Sequence, residues 1–105
     1  MIIMEKEKFF NIINEATIDG CVVGNFDCQF ENKSVFIVFC GTIEKPQYIA
    51  SSIFDDENVK KEDGTDSELY FDDFYEAINK FKINGKPIAE QIENIKSCGF
   101  IDYID

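Results

Sequence analysis

Carboxylates are the chemical groups that dominate this sequence. The 105 residues include 21 Asp and Glu but only 10 Lys, with no Arg and no His, so the formal net charge is −11. Ten of the acids lie between positions 55 and 76, a stretch with two lysines and a net charge of −8. They are Asp55, Asp56, Glu57, Glu62, Asp63, Asp66, Glu68, Asp72, Asp73 and Glu76. Neighbouring carboxylates can perform acid–base catalysis, bind calcium or attract a basic partner.

Acid–base catalysis by these carboxylates is poorly supported. It requires a pocket in which two carboxyl groups have different pKa values, and a polar acidic stretch does not provide one. The chain has no histidine proton shuttle and none of the motifs G-x-S-x-G, G-x-x-x-x-G-K-[ST] or G-x-G-x-x-G. We therefore expect a protein that is not an enzyme and uses no cofactor. The tyrosines are expected at the edge of the core with their hydroxyl groups in water: Tyr48, Tyr70, Tyr75 and Tyr103.

A calcium site in the acidic stretch does not follow the EF-hand pattern. That loop needs acidic ligands at its first, third and fifth positions and glycine at the sixth. Gly64 as the sixth residue places Val59 first and Lys61 third, which excludes the pattern. We expect no metal site, and an irregular cluster of oxygen ligands is the alternative left open.

The four cysteines also lack metal-binding spacing. Cys21, Cys28, Cys40 and Cys98 form no C-x-x-C pair, and no histidine is present to complete a mixed zinc site. We expect buried free thiols, which behave as small apolar side chains. A structural disulfide and a reactive thiol are the alternatives, the latter with lysine as its cationic neighbour.

Hydrophobic periodicity in the first half predicts a helix followed by an antiparallel meander. Apolar side chains at helical spacing indicate a helix over Lys6 to Ala16. From Val22 to Phe30 the period changes to two, and Gly24 indicates a bulge or a close backbone approach. The next strand, Val35 to Cys40, is apolar on both faces, and a third strand is expected over Gln47 to Phe54.

The second half predicts a loop, two helices and a last short strand. Residues 55–66 are loop-like by composition, and Asp72 or Asp73 can cap the helix that follows, with Glu76 completing a capping box. Its expected buried face consists of Phe74, Ala77, Ile78 and Phe81. After a turn at Ile83, Asn84 and Gly85, a second helix is expected to start at Pro87, to bury Ile88, Ile92 and Ile95, and to stop at Gly99. The last strand is expected over residues 100–104.

These elements predict a single small α+β domain over residues 1–105. We expect a three- to four-stranded antiparallel meander packed by an N-terminal helix and two C-terminal helices, with an acidic loop and helix start over residues 55–76. The sequence shows no signal-peptide pattern, and no apolar run approaches the roughly 20 residues that span a bilayer. We therefore expect a cytoplasmic protein without membrane contact.

Size and charge point to a class of partner. In both respects the chain resembles phage-encoded anti-CRISPR and anti-restriction proteins that imitate DNA, and toxin-neutralising immunity proteins. This compositional resemblance implies a non-catalytic inhibitor that presents a negative, nucleic-acid-like surface to a basic, nucleic-acid-handling protein. Alternate carboxylates in an extended segment lie about 6–7 Å apart, close to the spacing of neighbouring phosphates. The ten acids are therefore the expected partner-binding residues, and direct nucleic-acid binding is opposed by the charge of −11.

Two alternatives to this hypothesis are open. In the first, the acidic stretch only solubilises the protein. In the second, one apolar face of the strand Val35 to Cys40 stays uncovered and supports a homodimer or a partner adaptor. Ionic strength separates the charge-mediated inhibitor from the second alternative, because binding through exposed charges weakens as salt rises and apolar contact barely responds.

Overall fold

Two α-helices lie against one face of an antiparallel sheet in the computed structural model, which describes residues 4–52 and 68–101. Helix α1 spans Lys6–Glu15 and helix α2 spans Phe74–Lys80. The strands are β1 Thr17–Ile18, β2 Cys21–Val22, β3 Asn25–Gln29, β4 Ser34–Phe39, β5 Tyr48–Ser52, β6 Glu68–Phe71, β7 Lys82–Ile83, β8 Lys86–Pro87 and β9 Ser97–Ile101. Two 3₁₀ turns, Ile88–Glu90 and Ile92–Asn94, precede β9. Within the described residues no helix is long and apolar enough to cross a membrane.

The main sheet has five strands in the order β6-β5-β4-β3-β9, and every neighbouring pair is antiparallel. The predicted α+β class is therefore confirmed, but the prediction of a three- to four-stranded meander does not describe the whole five-stranded sheet. Strands β3 to β6 form the meander, and β9 returns to pair with the outer edge of β3. The prediction stopped a helix at Gly99, whereas this residue lies inside β9 opposite Asp27. The last strand consequently begins at Ser97.

The predicted second C-terminal helix is wrong. Pro87 belongs to β8, which pairs with β7 around a turn where Asn84 and Gly85 have positive φ angles of 54° and 88°. The buried Gln91 amide donates hydrogen bonds to the carbonyls of Ile83 and Lys86 at 2.6 and 2.8 Å. These bonds hold the chain against the hairpin and separate the two 3₁₀ turns. The isoleucines expected on the helix are nevertheless all buried: Ile88, Ile92 and Ile95.

The core lies between the helices and one face of the sheet, and phenylalanine rings fill its centre. Phe9 and Ile13 of α1 are fully buried, and Phe26 of β3 contacts the rings of Phe9 and Phe74 edge-on at 6.1 and 5.3 Å. The alternation expected for β3 is confirmed, since Phe26 and Cys28 are buried while their neighbours are half-buried. Gly24, with φ of +101°, bends the chain between β2 and β3 where a bulge was expected.

Candidate functional site: acidic residues and the open face of the sheet

Strand β6 divides the acidic stretch into two parts. Six of the predicted partner-binding residues lie outside the described residues: Asp55, Asp56, Glu57, Glu62, Asp63 and Asp66. Glu68 begins β6 opposite Ser51, and Asp72 follows its last residue. Four residues of extended chain span about 13 Å, so Glu68 and Asp72 lie at opposite ends of this strand. Composition alone did not reveal this strand, because its residues sit within the charged stretch.

One of the acids that follow β6 caps the start of α2, and two others lie beside it. The predicted cap is confirmed at Asp73, whose carboxylate accepts the backbone N–H of Glu76 at 3.3 Å. The Glu76 side chain lies 3.5 Å from the Lys80 ammonium, and both side chains are well exposed. An exposed pair of this kind contributes little stability. Asp72 and Asp73 are also exposed, so three carboxylates face solvent around the start of this helix.

Buried aromatic residues hold these acids in place. Phe74, the first residue of α2, is almost fully buried and contacts the rings of Tyr48 at 5.8 Å and Phe100 at 5.9 Å. Ala77 and Ile78 on the same helix are also buried. The acidic side chains beside Phe74 are therefore attached to a fixed backbone, which lowers the entropic cost of presenting them to a partner.

Tyr48 corrects the prediction that the tyrosine hydroxyls reach water. It is 2 % exposed, and its hydroxyl donates a hydrogen bond to the Val22 carbonyl at 2.6 Å, with the Cys21 sulfur 3.4 Å away. Burial, followed by the Cys21 contact, raises the pKa of Tyr48 well above its ordinary value. The phenol is thus held neutral as a structural donor. Tyr70 and Tyr75 are exposed as expected, and Tyr103 lies outside the described residues.

The opposite face of the five-stranded sheet is not covered by any element in residues 4–52 and 68–101. Val35 and Ile37 of β4 are fully buried, but the alternating Phe36 and Val38 are only half-buried. The strand register places five residues side by side in a row across this face: Tyr70, Ile49, Val38, Asn25 and Ile101. We call this row, together with Phe36 of β4, the open face.

The open face has an apolar centre, and the charged side chain at the edge of this centre is an aspartate. Phe36, Val38 and Ile101 surround a shallow hollow of about 280 Å³ that also touches Asp27. The Gln29 amide donates a hydrogen bond to the Asp27 carboxylate at 2.6 Å. None of the lysines lies in the five strands of this sheet. The sequence predicted an uncovered apolar face on β4 alone, whereas this face extends over the whole sheet. Its residues on the other strands can be identified only from the pairing of strands that are far apart in the sequence.

A second concave region lies between α1 and β9. This groove of about 550 Å³ is lined by apolar residues of both elements, among them Ile12, Ala16 and Phe100, and Cys98 opens into it. Sequence reasoning did not find it, because the residues that form it are more than eighty positions apart. In the described part of the chain, no three Cys, Asp or Glu residues are grouped so as to hold a metal ion.

The four cysteines are free thiols, as expected, although only Cys21 and Cys28 are buried. Cys98 is half-buried and Cys40 is exposed at the end of β4. Desolvation raises the pKa of the Cys28 thiol far above its ordinary value, so that this sulfur stays protonated.

Comparison with known proteins gives no relative for this arrangement. The chain matches no protein-family model, no curated protein and no solved structure.

Proposed function

We propose that this protein is a non-catalytic binding protein that inhibits a basic, nucleic-acid-handling protein through the acidic residues at positions 55–76. The observation that carries the proposal is the concentration of charge, with −8 of the net −11 on these 22 residues. The exposed carboxylates of Asp72, Asp73 and Glu76 on a helix anchored by Phe74 support it. A partner surface that normally binds phosphates would meet carboxylates here instead.

Under this proposal, electrostatic attraction steers the association of the protein with its basic partner. Oppositely charged surfaces raise the association rate by about 10- to 1,000-fold at low ionic strength, and this advantage falls steeply with added salt. The dissociation rate responds less. Polyanions such as DNA or heparin would compete for the same cationic surface of the partner, whereas neutral polymers would not.

Charge-neutral substitutions test the proposal. The partner is first identified by capture on the immobilised protein from cells of the source organism, and is then purified. Association rates are measured for the wild type and for a variant with Asp55→Asn, Asp56→Asn, Glu57→Gln, Asp63→Asn and Asp66→Asn. We expect the association rate of the variant to fall at least tenfold at low salt. An unchanged rate would show that these acids do not contact the partner.

A matched control separates a local surface from overall charge. Five exposed acids outside positions 55–76, at the start of α1, on α1 and on the 3₁₀ turns, can be neutralised in the same way: Glu5, Glu7, Glu15, Glu90 and Glu93. Both variants carry a net charge of −6, since each loses five of the eleven excess negative charges. The proposal predicts a large effect for the first variant and a small one for the control. Equal effects would mean that only the net charge matters.

The open face supports a second candidate function, a weak homodimer. Five strands about 4.8 Å apart and about 17 Å long present roughly 400 Å² per copy, so two copies bury about 800 Å². That area is below the roughly 1,200 Å² of a stable specific interface, which indicates a transient association. Two copies of charge −11 also repel each other, so added salt should strengthen this association while it weakens the first kind of binding.

Sedimentation equilibrium tests the homodimer. The dimer fraction should rise with protein and salt concentration, and Val38→Lys should abolish it, because it places a cation in the middle of the apolar row. Lys45→Ala, in the exposed loop that joins β4 to β5, is the control. A wild-type protein that stays monomeric at millimolar concentration and high salt would eliminate this candidate.

A further inference from the structure

Strands β3 and β9 place two cysteines directly opposite each other. Cys28 pairs with Cys98 in the antiparallel register, although 69 residues separate them in the sequence. Both side chains belong to the core face of the sheet, where Cys28 is fully buried and Cys98 packs against the core from a half-buried position. No other two cysteines face each other in the described strands.

The backbone hydrogen bonds show which type of antiparallel pair this is. The Phe30 N–H donates to the Lys33 carbonyl, and the Phe39 N–H donates to the Gly24 carbonyl. These bonds direct the even-numbered residues of β3 towards β4, so the backbone groups of Cys28 do not point at β9. Cys28 and Cys98 are therefore a non-hydrogen-bonded pair, whose Cα atoms lie about 4.5 Å apart and whose side chains approach most closely. A disulfide requires a Cα separation of about 4.4–6.8 Å.

We propose that Cys28 and Cys98 are a redox modification site, which a small disulfide such as oxidised glutathione converts into a cross-strand disulfide. The inference is independent of the proposed function. The described structure holds the dithiol form, and closing the bond requires the loss of two hydrogens with little backbone movement.

The order of the two chemical steps follows from access. Cys98 opens into the groove between α1 and β9, where a small disulfide can reach it, while Cys28 is enclosed. Burial raises the pKa of the Cys98 thiol, and the positive charge of Lys8 opposes this shift. Cys98 is thus the attacking sulfur and Cys28 the resolving one.

The exchange balances without any further reactant. The Cys98 thiolate attacks one sulfur of oxidised glutathione, which forms a mixed disulfide and releases one glutathione thiolate. The Cys28 proton then passes to the released glutathione thiolate as the Cys28 sulfur attacks the Cys98 sulfur. The Cys28–Cys98 bond forms, the Cys98–glutathione bond breaks, and the second glutathione leaves as a thiolate that takes up the proton lost by Cys98. Two protein thiols are oxidised, and one glutathione disulfide is reduced to two thiols.

Oxidation should stabilise the edge of the sheet. The bond closes a loop of about 70 residues, and in the chain-entropy description a loop of this size gives a stabilisation near the upper end of the usual range. For a domain of about 100 residues, this corresponds to a rise in Tm of about 15–30 °C.

Mass spectrometry of the full-length protein tests the proposal. Reduced Cys40→Ser protein, which lacks the exposed thiol, is incubated with oxidised glutathione, blocked with iodoacetamide and digested without reductant. We expect a cross-linked peptide that contains Cys28 and Cys98, loss of two hydrogens from the intact mass, and the rise in Tm, reversed by dithiothreitol. A glutathione adduct at Cys98 without the cross-link, a bond to Cys21, or two unmodified thiols would each overturn the proposal.

Single substitutions check the order of the steps. Cys28→Ala should trap a stable glutathione adduct at Cys98, and Cys98→Ser should leave Cys28 unmodified because that thiol is enclosed. If Cys28→Ala weakens folding, Cys98→Ser still decides the matter, since its half-buried position tolerates serine. Modification of Cys28 in the Cys98→Ser protein at the wild-type rate would show that Cys98 is not the entry point.

Discussion

Substituting Asp73 separates the structural role of this residue from its charge. Its carboxylate caps α2 by accepting the Glu76 N–H at 3.3 Å. Asp73→Ala removes both the acceptor and the charge, whereas Asp73→Asn keeps a good N-cap acceptor and removes only the charge. The neighbouring Asp72 is exposed and lies outside the helix cap, so Asp72→Ala is a matched control with the same change in charge.

The magnitudes follow from the cap geometry. Replacing an N-cap acceptor by alanine costs about 0.5–2 kcal/mol, and a bond of 3.3 Å is longer than the usual length of about 2.9–3.0 Å, so we take about 1 kcal/mol. The lost attraction between the carboxylate and the helix dipole adds about 0.3–0.5 kcal/mol. Asp73→Ala should therefore lower the free energy of unfolding by about 1–1.5 kcal/mol and Asp73→Asn by about 0.3–0.5 kcal/mol. Asp72→Ala should change it by less than about 0.5 kcal/mol.

Urea denaturation followed by circular dichroism measures these differences. The Asp73→Ala midpoint should fall clearly below those of Asp73→Asn and Asp72→Ala, with no change in the slope m. In partner binding, by contrast, Asp73→Asn and Asp72→Asn should slow association to a similar extent, because each removes one exposed charge. Equal stability losses for Asp72→Ala and Asp73→Ala would refute the assignment of the cap.

Three further predictions concern the scaffold. A Cβ atom at Gly41 would clash with the Lys45 carbonyl oxygen and lie 2.6 Å from the Gln47 nitrogen, so Gly41→Ala should lower Tm strongly. Gly99→Ala, with open space around it, should not, and equal Tm values would contradict the contact. Tyr48→Phe leaves the buried Val22 carbonyl without its donor and should cost about 1–3 kcal/mol in a urea titration, while Tyr75→Phe should cost little. The raised pKa of Cys28 means that the folded state keeps a proton that the unfolded chain releases above the ordinary pKa of 9.0. The contribution of Cys28 to the free energy of unfolding should therefore be constant below that pH and fall above it by up to about 1.4 kcal/mol per pH unit, so that Cys28→Ala makes the alkaline loss of stability shallower and Cys40→Ala does not.

Local sequence signals predicted the features that depend on neighbouring residues. The period-two alternation around Phe26 and Cys28, the cap at Asp73 and the turn at Asn84 and Gly85 each follow from short-range physical chemistry, and all are present. The long, strongly periodic segments α1 and β3 to β5 were therefore recognisable.

The errors arise where distant residues decide the conformation. Pro87 and the isoleucines after it have helical spacing, but the amide of Gln91 bonds to the preceding hairpin and breaks the segment into two turns. Strand β6 is four residues long within an acidic stretch, and pairing with β5 is what makes it a strand. The open face and the Cys28–Cys98 pair likewise depend on register between strands far apart in sequence, which no local pattern contains.

The salt dependence of partner binding tests the central claim most directly. Association and dissociation rates are measured for the purified partner at several ionic strengths with the wild type, the variant neutralised within residues 55–66, and the control neutralised at Glu5, Glu7, Glu15, Glu90 and Glu93. The account predicts a steep fall of the wild-type association rate with salt, nearly the same slope for the control, and a much shallower slope for the first variant. Identical slopes for all three proteins would contradict the claim that the acidic stretch is the binding surface.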